Sequence, residues 1–239
     1  MDTPVGQSEN GGVPLTRSAL RTPRAAAIAG IVFAVLFTLS IGLMRLAIPE
    51  SIIAADASEW LQNSTRTVQF ALTLVPFAGI AFLWFMGVVR SHLGQHEDQF
   101  FATIFFGSGL LFLAMIFSSA ALAGGIVGGY AIAPELMTES GVIIFGRSVI
   151  YTITNVYAIR MAGVFMLSLG TLWARTRAMP RLFVILTYLL ALTLLLAINL
   201  SLWAIMVFPA WVFVISVFIL VRNLRSHTAE AEGVVGAGD

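Results

Sequence analysis

The fold of this chain is decided by its longest uncharged stretch, residues 182–221, which reads LFVILTYLLALTLLLAINLSLWAIMVFPAWVFVISVFILV. A bilayer's hydrocarbon core is about 30 Å thick and takes about 20 apolar residues per helix, so these forty residues form two spans joined by a turn. A break at Pro209 would leave about 12 residues for the second span, too few to cross. We therefore predict a turn near INLSLW, residues 198–203, between spans at 182–199 and 203–221. Pro209 then becomes a kink inside the last helix.

The composition of the whole chain also indicates a lipid bilayer as its environment. Of 239 residues, 59% are hydrophobic and 10% are charged, whereas soluble globular domains are about a quarter charged. A soluble fold of this size cannot hide so much apolar surface. The absence of cysteine excludes disulfides and thiolate metal sites, and a net charge of +1 provides no electrostatic footprint for nucleic acid. The composition predicts an integral membrane protein that contacts the lipid bilayer and has no nucleic-acid partner.

Four further apolar runs precede the hairpin and bring the predicted number of spans to six. They lie at about residues 25–48, 68–89, 100–123 and 142–173. Each is long enough for a membrane-spanning helix. The predicted fold is all-α, a polytopic transmembrane bundle of six helices over residues 23–225. The flanking residues 1–22 and 226–239 are polar, Gly-rich and aperiodic, so we predict disordered tails.

The distribution of arginine predicts the orientation of the bundle. All 13 basic residues are Arg. With six spans and a cytoplasmic N-terminus, nine of them fall on the cytoplasmic side: Arg17, Arg21, Arg24, Arg90, Arg175, Arg177, Arg181, Arg222 and Arg225. Three fall on the outer side: Arg45, Arg66 and Arg147. This bias is the one expected from the positive-inside rule, so we predict a multi-pass protein of the cell (plasma) membrane with both termini cytoplasmic.

The remaining arginine lies inside a span. Arg160 belongs to VIYTITNVYAIRMAGVF, residues 149–165. A charged side chain at mid-membrane costs about 2.5–3.5 kcal/mol on insertion scales, so it needs a partner. All 12 acidic residues lie outside the predicted spans, which leaves neutral groups, an acidic loop residue folded inward, or an anion that is not protein. The neutral candidates are Gln69, Asn155, Tyr157 and the backbone carbonyls loosened by Pro76.

Two hypotheses for Arg160 follow from this position. Tyr157 and Arg160 are three residues apart and share one helix face. In the first hypothesis, Arg160 is a structural residue that links helices by hydrogen bonds. In the second, it lines a solvent-accessible substrate site together with Tyr157, Gln69 and Asn155.

Arg147, in the same span, has an ordinary explanation. The fourth apolar run is longer than the hydrocarbon core, so its first turns protrude on the outer side. Arg147 then lies near the interface, where its side chain reaches Glu135 or Glu139 of the preceding loop. We expect an outer ion pair between these residues.

The loop RSHLGQHED, residues 90–98, contains the highest density of titratable side chains. His92 and His96 are four residues apart, a spacing that lets two imidazoles share a metal ion on a helix. In the corresponding metalloprotease motif a general-base Glu stands where this chain has Leu93, and Gly94 favours a turn. We therefore interpret the loop as a turn and predict no metal, with His92 and His96 as the candidates for the opposing hypothesis.

The predicted outer loop, residues 50–66, has helical periodicity. Ile53, Ala57 and Trp60 recur at helical spacing with acidic residues on other faces. This pattern is typical of a short amphipathic helix lying on the outer leaflet, anchored by Trp60. A lid over a translocation path is the functional alternative.

Four glycines at the end of the third span form two small-xxx-small pairs. They are Gly124, Gly125, Gly128 and Gly129. Small residues at this spacing let helix backbones approach closely. We expect close packing within the monomer; a homo-oligomer contact or a flexible gate is the alternative.

The block PFAGIAFLWFMGVVRSHLGQHEDQFFATIFFGSGLLF, residues 76–112, resembles a stretch found in an uncharacterised family of small six-span integral membrane proteins of GC-rich bacteria. The resemblance covers about a sixth of the chain. It implies the six-span membrane fold, and it implies no activity and no site residue.

The leading functional hypothesis is transport of a small solute or anion along a path lined by Arg160. An intramembrane Arg without an intramembrane carboxylate favours anions or neutral solutes over proton coupling. The alternative is a non-catalytic accessory or scaffold protein in which Arg160 links helices. Because the spans contain no Ser–His or His–carboxylate set and the loops contain no phosphate-binding motif, we predict no enzyme activity, no catalytic residue and no cofactor.

Overall fold

A computed structural model of the chain describes residues 22–47, 57–93, 99–177, 179–196 and 202–235. All regular secondary structure in these ranges is helical. The α-helices are α1 (Thr22–Ala47), α2 (Ala57–Leu93), α3 (Gln99–Ile132), α4 (Pro134–Glu139), α5 (Val142–Thr152), α6 (Ile159–Thr176), α7 (Arg181–Leu196) and α8 (Val207–Val235). A π-helix, Ile153–Ala158, joins α5 to α6, and a 3₁₀-helix, Leu202–Met206, leads into α8.

Five helical segments in the described ranges are long and apolar enough to cross a membrane. They are Arg24–Met44, Thr65–Arg90, Phe100–Ile132, Val142–Thr176 and Ala204–Arg222. α7 is also apolar but has 16 residues, about 24 Å of helix. The prediction of an all-α, multi-pass membrane protein is confirmed.

α3 continues beyond the predicted end of the third span at residue 123. It runs to Ile132 and includes all four glycines of the small-xxx-small pairs as helical residues. The next helix breaker is Pro134, and glycine is more frequent in membrane helices than in soluble ones. These glycines therefore belong to a helix and not to a loop.

Within the described part of the predicted outer loop, residues 57–66 do not form a separate helix on the outer leaflet. From Ala57 onward they are the first turns of α2, which continues without interruption through Pro76. No glycine or proline precedes Pro76 in this helix, so nothing in its first turns favours a bend. Residues 48–56 and the side chain of Trp60 lie outside the described part of the chain.

α8 differs from the prediction at both of its ends. Pro209 is its third residue and not a kink in mid-helix. The first N–H groups of a helix have no intrahelical acceptor, so a proline there removes no hydrogen bond. At the other end α8 continues to Val235, into the segment predicted as a disordered tail, because the alternating Ala and Glu residues of HTAEAE (227–232) are good helix formers. The predicted N-terminal tail lies outside the described residues up to residue 21.

The helix pairs with the most extensive packing run antiparallel, and ring contacts show which ends coincide. Arg90, near the end of α2, lies over the ring of Phe106 near the start of α3, with 5.1 Å between the guanidinium carbon and the ring centroid. Arg175, at the end of α6, lies over Phe101 at 4.8 Å. The C-terminal ends of α2 and α6 therefore meet the N-terminal end of α3.

The remaining helices have the same alternation. α1 packs against α2 and α8, and α7 packs against α6. Phe183, near the start of α7, has its ring centroid 4.5 Å from that of Phe218, late in α8. One end of the bundle, which we call the arginine end, consequently holds six of the arginines whose side chains the structure describes: Arg24, Arg90, Arg175, Arg177, Arg181 and Arg222.

The centre of the bundle is filled by phenylalanine rings. Phe82 of α2 contacts Phe33 of α1, Phe112 of α3, Phe165 of α6 and Phe208 of α8, with centroid distances between 4.7 and 5.7 Å. All five side chains are at most 1% exposed. Aromatic pairs contribute about 0.5–1.5 kcal/mol beyond their burial. Five helices therefore meet at these residues, which we call the Phe82 cluster.

Candidate functional site around Arg160

Arg160 follows a π-helix, a local widening for which the sequence contains no recognised signal. The π-helix Ile153–Ala158 lies within the long segment between α5 and α6. π-Helical turns are rare, arise from i→i+5 hydrogen bonding, and are frequent at functional sites. The inserted residue rotates the following helix by about 100° relative to an uninterrupted α-helix. As a result α5 packs against α3 and α4, whereas α6 packs against α3 and α7.

A buried hydroxyl pair attaches the π-helix to α3. The Oγ1 atom of Thr154 and the Oγ atom of Ser119 are 2.8 Å apart, and both side chains are buried. Either hydroxyl serves as the donor. Interhelical hydrogen bonds of this kind are one of the forces that associate helices in a membrane. Ser119 was absent from the predicted site, because a serine in an apolar helix has no distinguishing pattern.

Arg160 bonds to a carbonyl oxygen of the π-helix. Its Nη1 atom donates to Val156 O, one turn earlier, at 2.6 Å, and the side chain is half-buried. Arg160 is 15 residues from Arg175 at the arginine end, about 23 Å along the helix axis, which is within a hydrocarbon core of about 30 Å. Hydrogen bonds from ionised donors are stronger than neutral ones. The described partner is thus a backbone carbonyl, supplied by the same helix and not by α2 at Pro76.

The other predicted site residues lie at different distances from Arg160 along the chain and on different helices. Asn155 lies in the π-helix, and its Nδ2 atom donates to Tyr151 O at 3.2 Å. Tyr157 is 53% exposed and faces outward. Gln69 is exposed on α2, which packs mainly against α1 and α3. The fold therefore brings Asn155 and Tyr157 near Arg160 along the chain and places Gln69 on another surface.

The predicted outer ion pair has its members at one end of the bundle. Arg147 is half-buried in α5, and Glu135 and Glu139 are exposed on α4. α4 packs against α5, so the acidic helix and Arg147 belong to neighbouring elements opposite the arginine end. The ion pair itself stays a prediction.

The histidine pair of the 90–98 loop falls mostly outside the described structure. His92 lies in the last turn of α2, but its side chain and all of residues 94–98, including His96, are not described. Over the described residues, no group of three His, Asp or Glu side chains is arranged to hold a metal ion. The prediction that His92 and His96 bind no metal stays a prediction.

The four glycines of α3 have unequal surroundings. A Cβ atom added to Gly129 would lie 3.1 Å from Met137 of α4, and one added to Gly124 would lie 3.8 Å from Leu72 of α2. A Cβ atom added to Gly125 or Gly128 would meet nothing within 4 Å. Two of the glycines thus face other parts of this chain, and two face outward.

The structure contains an apolar groove away from Arg160, between α7 and α8. Its volume is about 270 Å³. The wall residues are Phe183, Leu186, Thr187, Leu190, Val207, Ala210, Trp211, Val214 and Ile215. The hydroxyl of Thr187 accepts a 2.9 Å hydrogen bond from the indole Nε1 of Trp211, so the walls present apolar surface. This groove is the space between two helices that pack mainly against different neighbours, which no local sequence pattern predicts.

Comparison of the chain with protein-family models, with curated proteins and with solved structures finds no match. Around Arg160 the geometry consists of a cation bonded to its own helix, a hydroxyl pair between helices, and an exposed tyrosine.

The hydroxyl pair between Ser119 and Thr154 is expected to stabilise the fold modestly. Polar pairs between membrane helices average about 0.6 kcal/mol in double-mutant cycles. We expect the cycle of Ser119→Ala, Thr154→Ala and the double variant to give a coupling energy of about that size in detergent unfolding. Ser148→Ala is the control, because the Ser148 hydroxyl is exposed and donates to Ile144 O of its own helix. A coupling near zero would contradict the structural role of the pair.

Proposed function

We propose that this chain crosses the cell membrane six times, with both termini in the cytoplasm, as in the family that residues 76–112 resemble. The antiparallel contacts of α7 with α8 support the sixth crossing, since α7 alone supplies about 24 Å of apolar helix. The six arginines of the arginine end support its assignment as cytoplasmic. Lys and Arg accumulate on the cytoplasmic side of membrane proteins.

The orientation is open to a direct labelling test because the natural chain has no cysteine. We expect Thr138→Cys, on the exposed helix α4, to react with a membrane-impermeant maleimide in intact cells. We expect Thr176→Cys, at the exposed end of α6, to react only after permeabilisation. The reverse pattern, or equal labelling of both cysteines in intact cells, would contradict the proposed orientation.

For the role of the protein, we favour a non-catalytic scaffold or accessory subunit over a conduit. The observation that supports the scaffold role is the Phe82 cluster. It joins five helices at the bundle centre with fully buried rings, where a transporter needs a polar path. The hydrogen bond from Arg160 to Val156 O agrees with a structural arginine that is stabilised inside its own helix.

Transport of a small anion is the second candidate, and one observation favours it. A guanidinium has five N–H donors, and the described hydrogen bond of Arg160 uses one of them. The exposed Tyr157, three residues before Arg160, adds a phenolic donor. A path along this face would run beside α6 and would avoid the Phe82 cluster.

Replacing Arg160 by Gln separates the two roles. The scaffold role predicts that Arg160→Gln lowers the melting temperature of the detergent-solubilised protein by about 2–4 °C, the loss of about 1 kcal/mol in a chain of this size. It also predicts no chloride or phosphate flux into proteoliposomes with either form. Arg66→Gln, at an exposed arginine, is the control for loss of charge. Flux with the natural chain that disappears in Arg160→Gln, at an unchanged melting temperature, would establish transport instead.

A further inference from the structure

We infer that the groove between α7 and α8, together with Arg181 and Arg222, is a binding site for an anionic phospholipid. The occupant is one lipid molecule, with an acyl chain in the groove and a phosphate headgroup at the arginine end. The inference concerns a surface that neither role proposed for Arg160 uses.

The groove exists because its two helices pack against different neighbours. α7 packs against α6, whereas α8 packs mainly against α1. The two meet near the arginine end, where the rings of Phe183 and Phe218 are 4.5 Å apart, and deeper in the membrane Trp211 bonds to Thr187. The cavity of about 270 Å³ is lined by residues on both sides of the Trp211–Thr187 bond, from Phe183 to Leu190 of α7 and from Val207 to Ile215 of α8.

The chemistry of the walls fits an acyl chain better than a partner helix. Helices that associate in a membrane approach through small residues. The groove has one small residue, Ala210, among large aliphatic and aromatic side chains. The only two hydroxyl or N–H groups of its wall side chains, on Thr187 and Trp211, bond to each other. A flexible hydrocarbon chain needs no hydrogen bond and adapts to such a surface.

Charge at the open end of the groove selects the headgroup. Arg181 is two residues before Phe183, and Arg222 is one turn after Phe218, so the Phe183–Phe218 pair lies between two exposed arginines. Among the described side chains the carboxylates are Glu135 and Glu139, which lie on α4 at the opposite end. Arginine near a membrane surface favours anionic lipid by about 1 kcal/mol per residue. A zwitterionic headgroup gains less from the same pair.

Titration of the full-length protein in detergent with dioleoyl phosphatidylglycerol tests the site. We expect the melting temperature to rise by about 5–10 °C when the lipid is a hundredfold above its dissociation constant. Dioleoyl phosphatidylcholine should give a clearly smaller rise, and inorganic phosphate should give none. We expect Arg181→Gln to weaken phosphatidylglycerol binding about fivefold, and Ala210→Phe, which fills the groove, to remove the difference between the two lipids.

Matched controls distinguish this site from a general basic surface. Arg90→Gln removes an arginine from the same end but on α2, and Ala121→Phe adds a ring to an exposed position of α3. Neither should change phosphatidylglycerol binding. Equal effects of Arg90→Gln and Arg181→Gln, or equal stabilisation by the two lipids, would overturn the proposal. A change of oligomeric state in Ala210→Phe with lipid binding unchanged would do the same, by pointing to a protein in the groove.

Fluorescence provides a second measurement that needs no substitution in the groove. Trp211 forms part of its wall, so brominated acyl chains of a bound lipid quench its emission. In a Trp84→Phe background, which removes a 69% exposed indole, we expect stronger quenching by brominated phosphatidylglycerol than by brominated phosphatidylcholine. Arg181→Gln should reduce that difference. Identical quenching by the two lipids in the Trp84→Phe protein would overturn the site even if Ala210→Phe does not fold.

Discussion

Replacing Phe82 by Ala is expected to destabilise the protein by about 3 kcal/mol. Loss of a buried phenylalanine ring costs about 3–5 kcal/mol in soluble cores, partly through transfer and partly through the cavity left behind. In a bilayer the transfer part is small because lipid is also apolar, so we expect the lower end of that range. Phe82 is fully buried and contacts rings from four other helices, so the cavity has little freedom to collapse.

The same helix provides a matched control at Phe77, which is 62% exposed. We expect Phe77→Ala to change the free energy of unfolding by less than about 0.5 kcal/mol, because the exposed ring contacts lipid in both the folded and the unfolded state. The measurement is reversible unfolding of both variants in mixed micelles. Equal losses for the two variants would show that the Phe82 cluster is not the packing centre of the bundle.

Replacing Gly109 by Leu is expected to cost about 3 kcal/mol, the second large effect. A Cβ atom at Gly109 would overlap Met86 Sδ and lie 3.1 Å from the Phe165 ring, so a larger side chain separates α3 from α2 and α6. Overpacking of this kind typically costs about 1–3 kcal/mol, and here two fully buried neighbours must move. Thermal unfolding should show a fall of about 6–12 °C for a chain of this length.

Gly107→Leu is the control for Gly109→Leu, two residues earlier in α3. A Cβ atom at Gly107 meets nothing within 4 Å. Both substitutions replace glycine by a better helix former, with the same intrinsic gain of about 0.8–1.0 kcal/mol, so their difference isolates the steric effect. We expect Gly107→Leu to be neutral or mildly stabilising. A fall in its melting temperature as large as that of Gly109→Leu would contradict the packing of α3 against α2 and α6.

The class of fold was predictable because it depends mainly on the length of the apolar runs. Runs of about 20 apolar residues identify membrane helices without knowledge of their neighbours. This rule predicted helices at 182–199 and 203–221 within a single uncharged stretch, where the structure has α7 (Arg181–Leu196) and α8, which begins at Val207. Helix ends were less predictable. The glycines from Gly124 to Gly129 were expected to end a span, but membrane helices accommodate glycine, and α3 continues to Ile132.

The details of the candidate site depend on contacts between distant residues. Arg160 stood out because a charge inside a span is costly. Its bond to Val156 O depends on a π-helix, and the Ser119–Thr154 pair depends on how α3 meets that π-helix. Each is set by packing between helices, which hydropathy does not encode. Gln69 illustrates the same limit, since it is the second residue of the predicted span 68–89 yet is exposed on α2.

The lengths of α3 and of the α5–α6 segment have a consequence for accessibility. Phe100–Ile132 has 33 residues and Val142–Thr176 has 35, so each is about 50 Å long, whereas the bilayer with its headgroups is about 40–45 Å thick. If these helices cross the bilayer without tilt, their final turns opposite the arginine end extend beyond the headgroups. Leu136 and Phe145, which are 68% and 71% exposed, lie in that part of the protein. A water-soluble protein on that side would then contact helix ends that carry exposed apolar side chains.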